Sequence, residues 1–199
     1  MRLRIAILIE GRPKQKLIAL SKRLDEQSKS RIILGNEALP HITLYNASFP
    51  NGAVKKIRSE MEDIIAKLPP FSISITKEVD VKDGYMALNV RDSGVLYNLH
   101  KEMLKRLSPL RDKNVKINPA IPKTRRELIK RYGTSNAGKA YNPHITIGLI
   151  DPVEMSKGKK ALAKTPKLIY RVKEIALCKS PQSHISVRGV IARFNLADK

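Results

Sequence analysis

"LPHITLYNA" (residues 39–47) and "YNPHITIGL" (residues 141–149) share the tetrapeptide Pro-His-Ile-Thr and hold two of the chain's four histidines. β-Branched and aromatic residues after a proline predict a strand in both places. Successive side chains of a strand point to opposite faces. Ile42 and Leu44 therefore go to the core, and His41 and Thr43 go to the other face, roughly 7 Å apart along the strand. Ile145 and Ile147 go inward in the same way, with His144 and Thr146 opposite. Each copy offers one imidazole beside one hydroxyl. Pro40 and Pro143 keep the preceding residue extended and suit a strand start at the mouth of a cleft.

The flanking sequence is duplicated as well. "RLRIAILIE" reads as a strand stopped by Gly11 and Pro13. "KQKLIALSKRLDEQS" places Leu17, Leu20 and Leu24 at helical spacing. After the first motif, "NGAVKKIRSEMEDIIAKL" is a second helix, ended by Pro69-Pro70, and "FSISIT" alternates as a half-buried strand. The order then recurs. "GYMALNVRD" is a strand, and "GVLYNLHKEMLKRL" is a helix with Leu96, Leu99, Met103 and Leu107 on one face. The second motif strand follows, then a short helix in "PVEMSKGKKALAK" and a strand in "KLIYRVKEIAL". A last strand, "HISVRGVIARFNL", pairs back across the turn "KSPQS".

The second copy carries an extra segment, "VKINPAIPKTRRELIKRYGTSNAGKAY". Thr124 and Glu127 have the spacing of a capping box, and Gly133 suits a helix stop, so a short basic helix is predicted at 125–132. The loop after it reads either as a substrate-contacting arm or as a surface insertion.

Composition narrows the function. At 199 residues and 42% hydrophobic, the chain can bury a core. No apolar run approaches the roughly 20 residues of a membrane-spanning helix. The opening stretch reads as a first strand rather than a signal peptide, so a cytoplasmic protein is expected. One cysteine, Cys178, rules out an internal disulfide framework and a cysteine-cluster metal site. A net charge of +21 favours polyanionic partners, nucleic acid first. The excess gathers from Lys113 to Lys139 and from Lys157 to Lys173, on either side of the second motif.

Two imidazoles and two hydroxyls meeting in one pocket suit phosphoester chemistry. A neutral histidine takes a proton from the attacking hydroxyl, and a protonated one delivers a proton to the leaving oxygen. Two hydroxyls hold the phosphate oxygens. No carboxylate or cysteine sits at metal-ligand spacing near either motif, and no nucleophile-elbow sequence is present. His100, beside an apolar helix stripe, reads as structural. His184, in "HISV", repeats the pattern without the proline or the duplicated context.

HITL at 41–44 and HITI at 144–147, one lobe apart, resemble the two-histidine (2H) phosphoesterase superfamily. They are most similar to its branch of 2′,5′ RNA ligase-like proteins and RNA 2′,3′-cyclic phosphodiesterases. The opening "LRIAILI" and the closing "VKEIALCKS…VIARFNL" extend the likeness over most of the chain. The resemblance implies one α+β domain over 1–199. It would be bilobal, with two pseudo-twofold-related lobes of mainly antiparallel sheet, flanking helices and a central cleft. The first repeat would span about 1–80, the second about 84–199, and the insertion about 113–140. Catalysis without cofactor or metal is implied, with His41 and His144 as acid and base and Thr43 and Thr146 on the phosphate. An RNA or nucleotide substrate and a monomer are expected. Tyr45, Arg125, Arg126, Lys130 and Arg131 are further candidate contacts, with core packing the other reading of Tyr45. The chain departs from the pattern in two respects. Gly148-Leu149 stand where RNA-acting members often carry an arginine, and the basic segment is longer than in compact members. Both leave the substrate open among RNA ends, small cyclic nucleotides and ADP-ribose cyclic phosphate. A non-catalytic RNA-binding protein is the remaining alternative.

Overall fold

The structure is a computed structural model describing residues 1–92, 94–163, 165–180 and 184–197. Among these residues the strands form two four-stranded antiparallel sheets. The first runs β2 (His41–Ser48), β1 (Arg2–Leu8), β7 (Glu174–Lys179), β8 (Val190–Asn195). The second runs β5 (His144–Leu149), β4 (Tyr85–Arg91), β3 (Phe71–Lys82), β6 (Leu168–Val172). The motif strands β2 and β5 each form an edge and contact one another. Five helices flank the sheets among the described residues: α1 (Gly11–Ser28), α2 (Ala53–Ile65), α3 (Val95–Leu107), α4 (Lys123–Tyr132) and α5 (Met155–Leu162). None is long and apolar enough to cross a membrane.

The α+β class and the duplicated element order match the sequence expectation, but the expected repeat boundary does not follow the sheets. β3, from the first repeat, pairs with β4 in the second sheet. β7, from the second repeat, pairs with β1 in the first. A cut between residues 80 and 84 therefore passes through the β3–β4 hairpin. Asp83 (φ 53°) and Gly84 (φ 80°) form its two-residue turn. Gly84 is needed there, because a Cβ would lie 2.4 Å from the Ile150 carbonyl oxygen.

The stretch read as one strand, "KLIYRVKEIAL", is two strands in different sheets, broken at Lys173. β6 is an edge strand, part exposed, whereas β7 lies between β1 and β8 with Ile175 to Cys178 all buried. The change to a continuous apolar run marks the switch from an edge strand to one covered on both faces. In the closing hairpin, β8 begins at Val190 after a 3-10 turn, later than the "HISV" start expected. Residues 181–183 of the expected turn lie outside the described residues.

Helices are exchanged along with strands. α1 follows β1 but packs against β5, and α3 follows β4 but packs against β2. One apolar cluster thus joins the two sheets through Ile5, Ile7, Ile42, Leu44, Leu88, Ile145 and Ile147. The four motif residues in it are fully buried, each contributing about 1.5–3 kcal/mol.

Both motif strands bulge at the same place. Register jumps from Ala6↔Thr43 to Ile5↔Tyr45, and from Ala87↔Thr146 to Met86↔Gly148. The extra residues are Leu44 and Ile147, the fourth of each motif. Beyond each bulge the alternation reverses. Tyr45 therefore turns inward and Asn46 turns to the cleft.

The insertion helix α4 starts at Lys123, two residues earlier than expected. Pro122 occupies its N-cap with no side-chain cap bond, so the Thr124–Glu127 capping box does not form. Gly133 ends it as expected, at φ 80°, with its N–H donating to Ile129 O.

Candidate functional site

A cleft of about 1010 Å³ is lined by His41, Thr43, His144 and Thr146 together. The four residues expected from the motifs thus share one cavity. Each histidine is oriented by the same local bond. Nδ1–H of His41 donates to Leu39 O at 2.7 Å, and Nδ1–H of His144 donates to Asn142 O at 2.8 Å. Both carbonyls lie two residues upstream of the ring. The bonds place a proton on Nδ1 of each imidazole, so Nε2 is the nitrogen left to accept one.

Arg4, on the neighbouring strand β1, was not among the candidates read from the sequence. Its guanidinium Nη1 donates to His41 Nε2 at 2.7 Å. A guanidinium has no acceptor, so this bond requires an unprotonated Nε2 and a neutral His41. Burial, reinforced by the Arg4 charge, pushes the His41 pKa down to about 3. Burial also lowers Arg4 itself, to about 10. A signal was present in "RLRIAILIE". With Leu3, Ile5 and Ile7 in the core, period two sends Arg2 and Arg4 to the opposite face, and both line the cleft. What the sequence lacked was the pairing that lays this face beside His41.

The bulges are held from across the molecule. His100 of α3 donates Nδ1–H to Leu44 O at 2.6 Å, and its Nε2 accepts from the Gly138 N–H at 3.1 Å. Tyr141 stacks on the His100 ring at 4.0 Å and donates its hydroxyl to Thr43 O at 3.2 Å. In the other copy, Ser21 of α1 donates Oγ–H to Ile147 O at 2.7 Å and accepts from Leu34 N–H at 2.9 Å. Each bulged carbonyl is therefore satisfied by a buried side chain on a helix of the other repeat. In Ser21→Ala, Ile147 O and Leu34 N–H lose this partner, and a loss of about 1–3 kcal/mol is expected in denaturant unfolding.

Burial lowers the His100 pKa too. His41 and His100 thus bind protons less readily folded than unfolded. The unfolded chain takes up more protons below its histidine pKa of about 6.5, so stability falls as pH drops through that value. Melting temperatures measured from pH 7.5 to 4.5 should decline. A flat profile would contradict the neutral state of both rings.

The remaining candidates separate. Tyr45 is 1% exposed and donates its hydroxyl to Tyr132 O at 2.6 Å, so it belongs to the core and does not line the cleft. Burial raises its pKa. No open space lies beside Gly148, since a Cβ there would meet Ser30 Oγ at 2.5 Å and Leu24 Cδ2 at 2.6 Å. Of the four candidate cations on α4, Arg125 lines the cleft. Arg126 and Lys130 line a smaller pocket behind it, with Arg126 donating to Pro119 O at 2.7 Å. The Arg131 guanidinium lies over the Tyr132 ring, 5.0 Å from its centroid. His184 is half-buried and outside the cleft lining, in a segment joined to the first motif by Leu39 N–H donating to Ile185 O. Among the described residues, no group of three or more His, Cys, Asp or Glu side chains is placed to hold a metal ion.

No curated protein sequence matches the chain. Its fold is similar to TT0787 of Thermus thermophilus, at 15% identity and a TM-score of 0.61, with 98% of each chain covered. It is also similar to LigT of E. coli solved with 3′-AMP, at 17% identity and a TM-score of 0.57, covering 99% of this chain and 98% of that one. LigT in its phosphate complex gives 16% identity and a TM-score of 0.55 over the same shares. At such identities the likeness is one of fold. A sequence model of the 2′-5′ RNA ligase superfamily matches residues 27–183, which include both His-x-Thr motifs. The chain belongs to the 2′-5′ RNA ligase superfamily, the two-histidine phosphoesterases.

Proposed function

We propose that the protein is a metal-independent phosphoesterase that opens 2′,3′-cyclic phosphate ends of RNA or cleaves the related 2′,5′ linkage. One observation carries the reading: two imidazoles of matching tautomer, two threonines and an arginine line a single cleft. Related structures of E. coli LigT with 3′-AMP and with phosphate agree with a nucleotide phosphate as ligand.

His41, kept neutral by burial and by Arg4, is the base, and His144, protonated, is the acid. Water attacks phosphorus in line and His41 Nε2 takes its proton. The bond from phosphorus to one ribose oxygen breaks, and His144 Nε2–H gives that oxygen a proton. Thr43, Thr146 and Arg4 donate hydrogen bonds to the non-bridging oxygens, where charge accumulates. An arriving phosphate draws the Arg4 guanidinium onto its own oxygens. That releases His41 Nε2 and raises its basicity when the base is required.

An oligonucleotide ending in a 2′,3′-cyclic phosphate, incubated with the protein in EDTA, should yield a phosphomonoester end. Salt-sensitive binding of that oligonucleotide with no turnover of it, nor of a 2′,5′-linked one, would favour a non-catalytic RNA-binding protein instead.

A further inference from the structure

We propose that the insertion wall of the cleft is a binding subsite for the nucleotide immediately 5′ of the reacting one on an RNA strand. Lys116 and Arg125 hold the internucleotide phosphate, and Ile117, Ile121 and Ile129 form the surface against which the base packs. The proposal rests on the phosphoesterase reading above. A 2′,3′-cyclic phosphate ends its strand on the 3′ side, so any further nucleotide lies 5′ of the site.

Size is the first support. The cleft, at about 1010 Å³, reaches the upper end of the roughly 300–1,000 Å³ of pockets holding one small ligand. The acid–base groups occupy only its β2–β5 side. All five insertion residues named above line the same cavity.

The arrangement of α4 is the second. Arg125 and Ile129 stand four residues apart, on one face of the helix, and that face lines the cleft. Arg126 and Lys130, also four apart, line the pocket behind it. Although α4 has no buried residue, it presents the cleft with a cation next to an apolar side chain. That pairing suits a phosphate joined to a base. A mononucleotide whose only phosphate sits between the two histidines uses neither.

Rigidity is the third. Both ends of the insertion are bonded to β2, the strand that carries His41. Asp112 N–H donates to Ser48 O at 2.8 Å, and Thr134 Oγ1 donates to Asn46 Oδ1 at 3.0 Å. Tyr45 Oη–H adds the bond to Tyr132 O. The wall therefore keeps a set position relative to the reacting phosphate, as a second subsite requires.

Turnover should be compared between a mononucleoside 2′,3′-cyclic phosphate and a dinucleotide ending in the same group. The wild-type kcat/KM is expected to favour the dinucleotide by about tenfold or more. In the double variant Lys116→Ala with Arg125→Ala, that ratio should fall close to one. The salt slope of dinucleotide kcat/KM should flatten by up to about one per cation removed. Calorimetric titration with the phosphomonoester products, one and two nucleotides long, should show the same preference and its loss without depending on turnover. Equal wild-type affinity and turnover for both lengths would overturn the subsite, as would a variant that weakens both lengths alike. A binding preference lost in the variant, with no turnover of either substrate, would leave the subsite standing and remove the catalytic reading.

Discussion

In the His41→Ala variant, kcat/KM on a cyclic-phosphate-ended oligonucleotide at pH 7 is expected to fall by about 10²–10⁴-fold, with a loss of the same order in His144→Ala. In the proposed mechanism the two rings act on one proton path, one removing the proton from water and the other supplying it to the leaving oxygen. The double variant should therefore lose far less than the product of the single losses. Neither substitution touches the apolar cluster that joins the sheets, since both rings lie on the cleft face of strands anchored by Ile42, Leu44, Ile145 and Ile147. Steady-state rates in EDTA measure the effect, and melting temperature separates it from unfolding. Wild-type rates in either single variant would overturn the assignment.

Arg4→Ala should produce the second large effect, visible in two ways. Removing a donor from the phosphate oxygens is expected to lower kcat at pH 7 by about 10²-fold. The acid limb of kcat/KM, which reports the free enzyme, should also move to higher pH, by about one pH unit or more. The sign follows from His41. Its pKa of about 3 reflects burial first and the Arg4 charge second. Without that charge, proton uptake by the ring becomes easier and the base is lost at a higher pH. In Arg4→Lys the charge remains but the planar fork does not, so the limb should stay low while the rate recovers only in part. A pH profile unchanged in Arg4→Ala would show that Arg4 does not control the protonation of His41.

Arg4 also bears on the family comparison. The resemblance read from the sequence implies an arginine just after the second motif, where Gly148 and Leu149 stand here. Ser30 and Leu24 pack against Gly148, so no large side chain fits at that position. In this chain a cation reaches the site from β1, on the side of the first histidine.

The sequence by itself determined the local features of the protein. Period-two alternation marked the motif strands, helical spacing marked the leucine faces, and the duplicated element order placed His41, Thr43, His144 and Thr146 at equivalent points. These readings depend on neighbours a few residues away. Only the tertiary structure decided the rest, because each remaining feature depends on a partner distant in the chain. Tyr45 follows the alternation as a cleft residue until the bulge at Leu44, bonded to His100 56 residues away, turns it inward. The strand "KLIYRVKEIAL" divides because its two halves find partners in different sheets. Arg125 is set apart from Arg126, Lys130 and Arg131 by which face of α4 meets the cleft. Arg4 is an ordinary strand residue until β1 pairs with β2, 37 positions along the chain, and lays its guanidinium against His41. Periodicity tells a side chain which face to take, and only packing tells it what it will meet there.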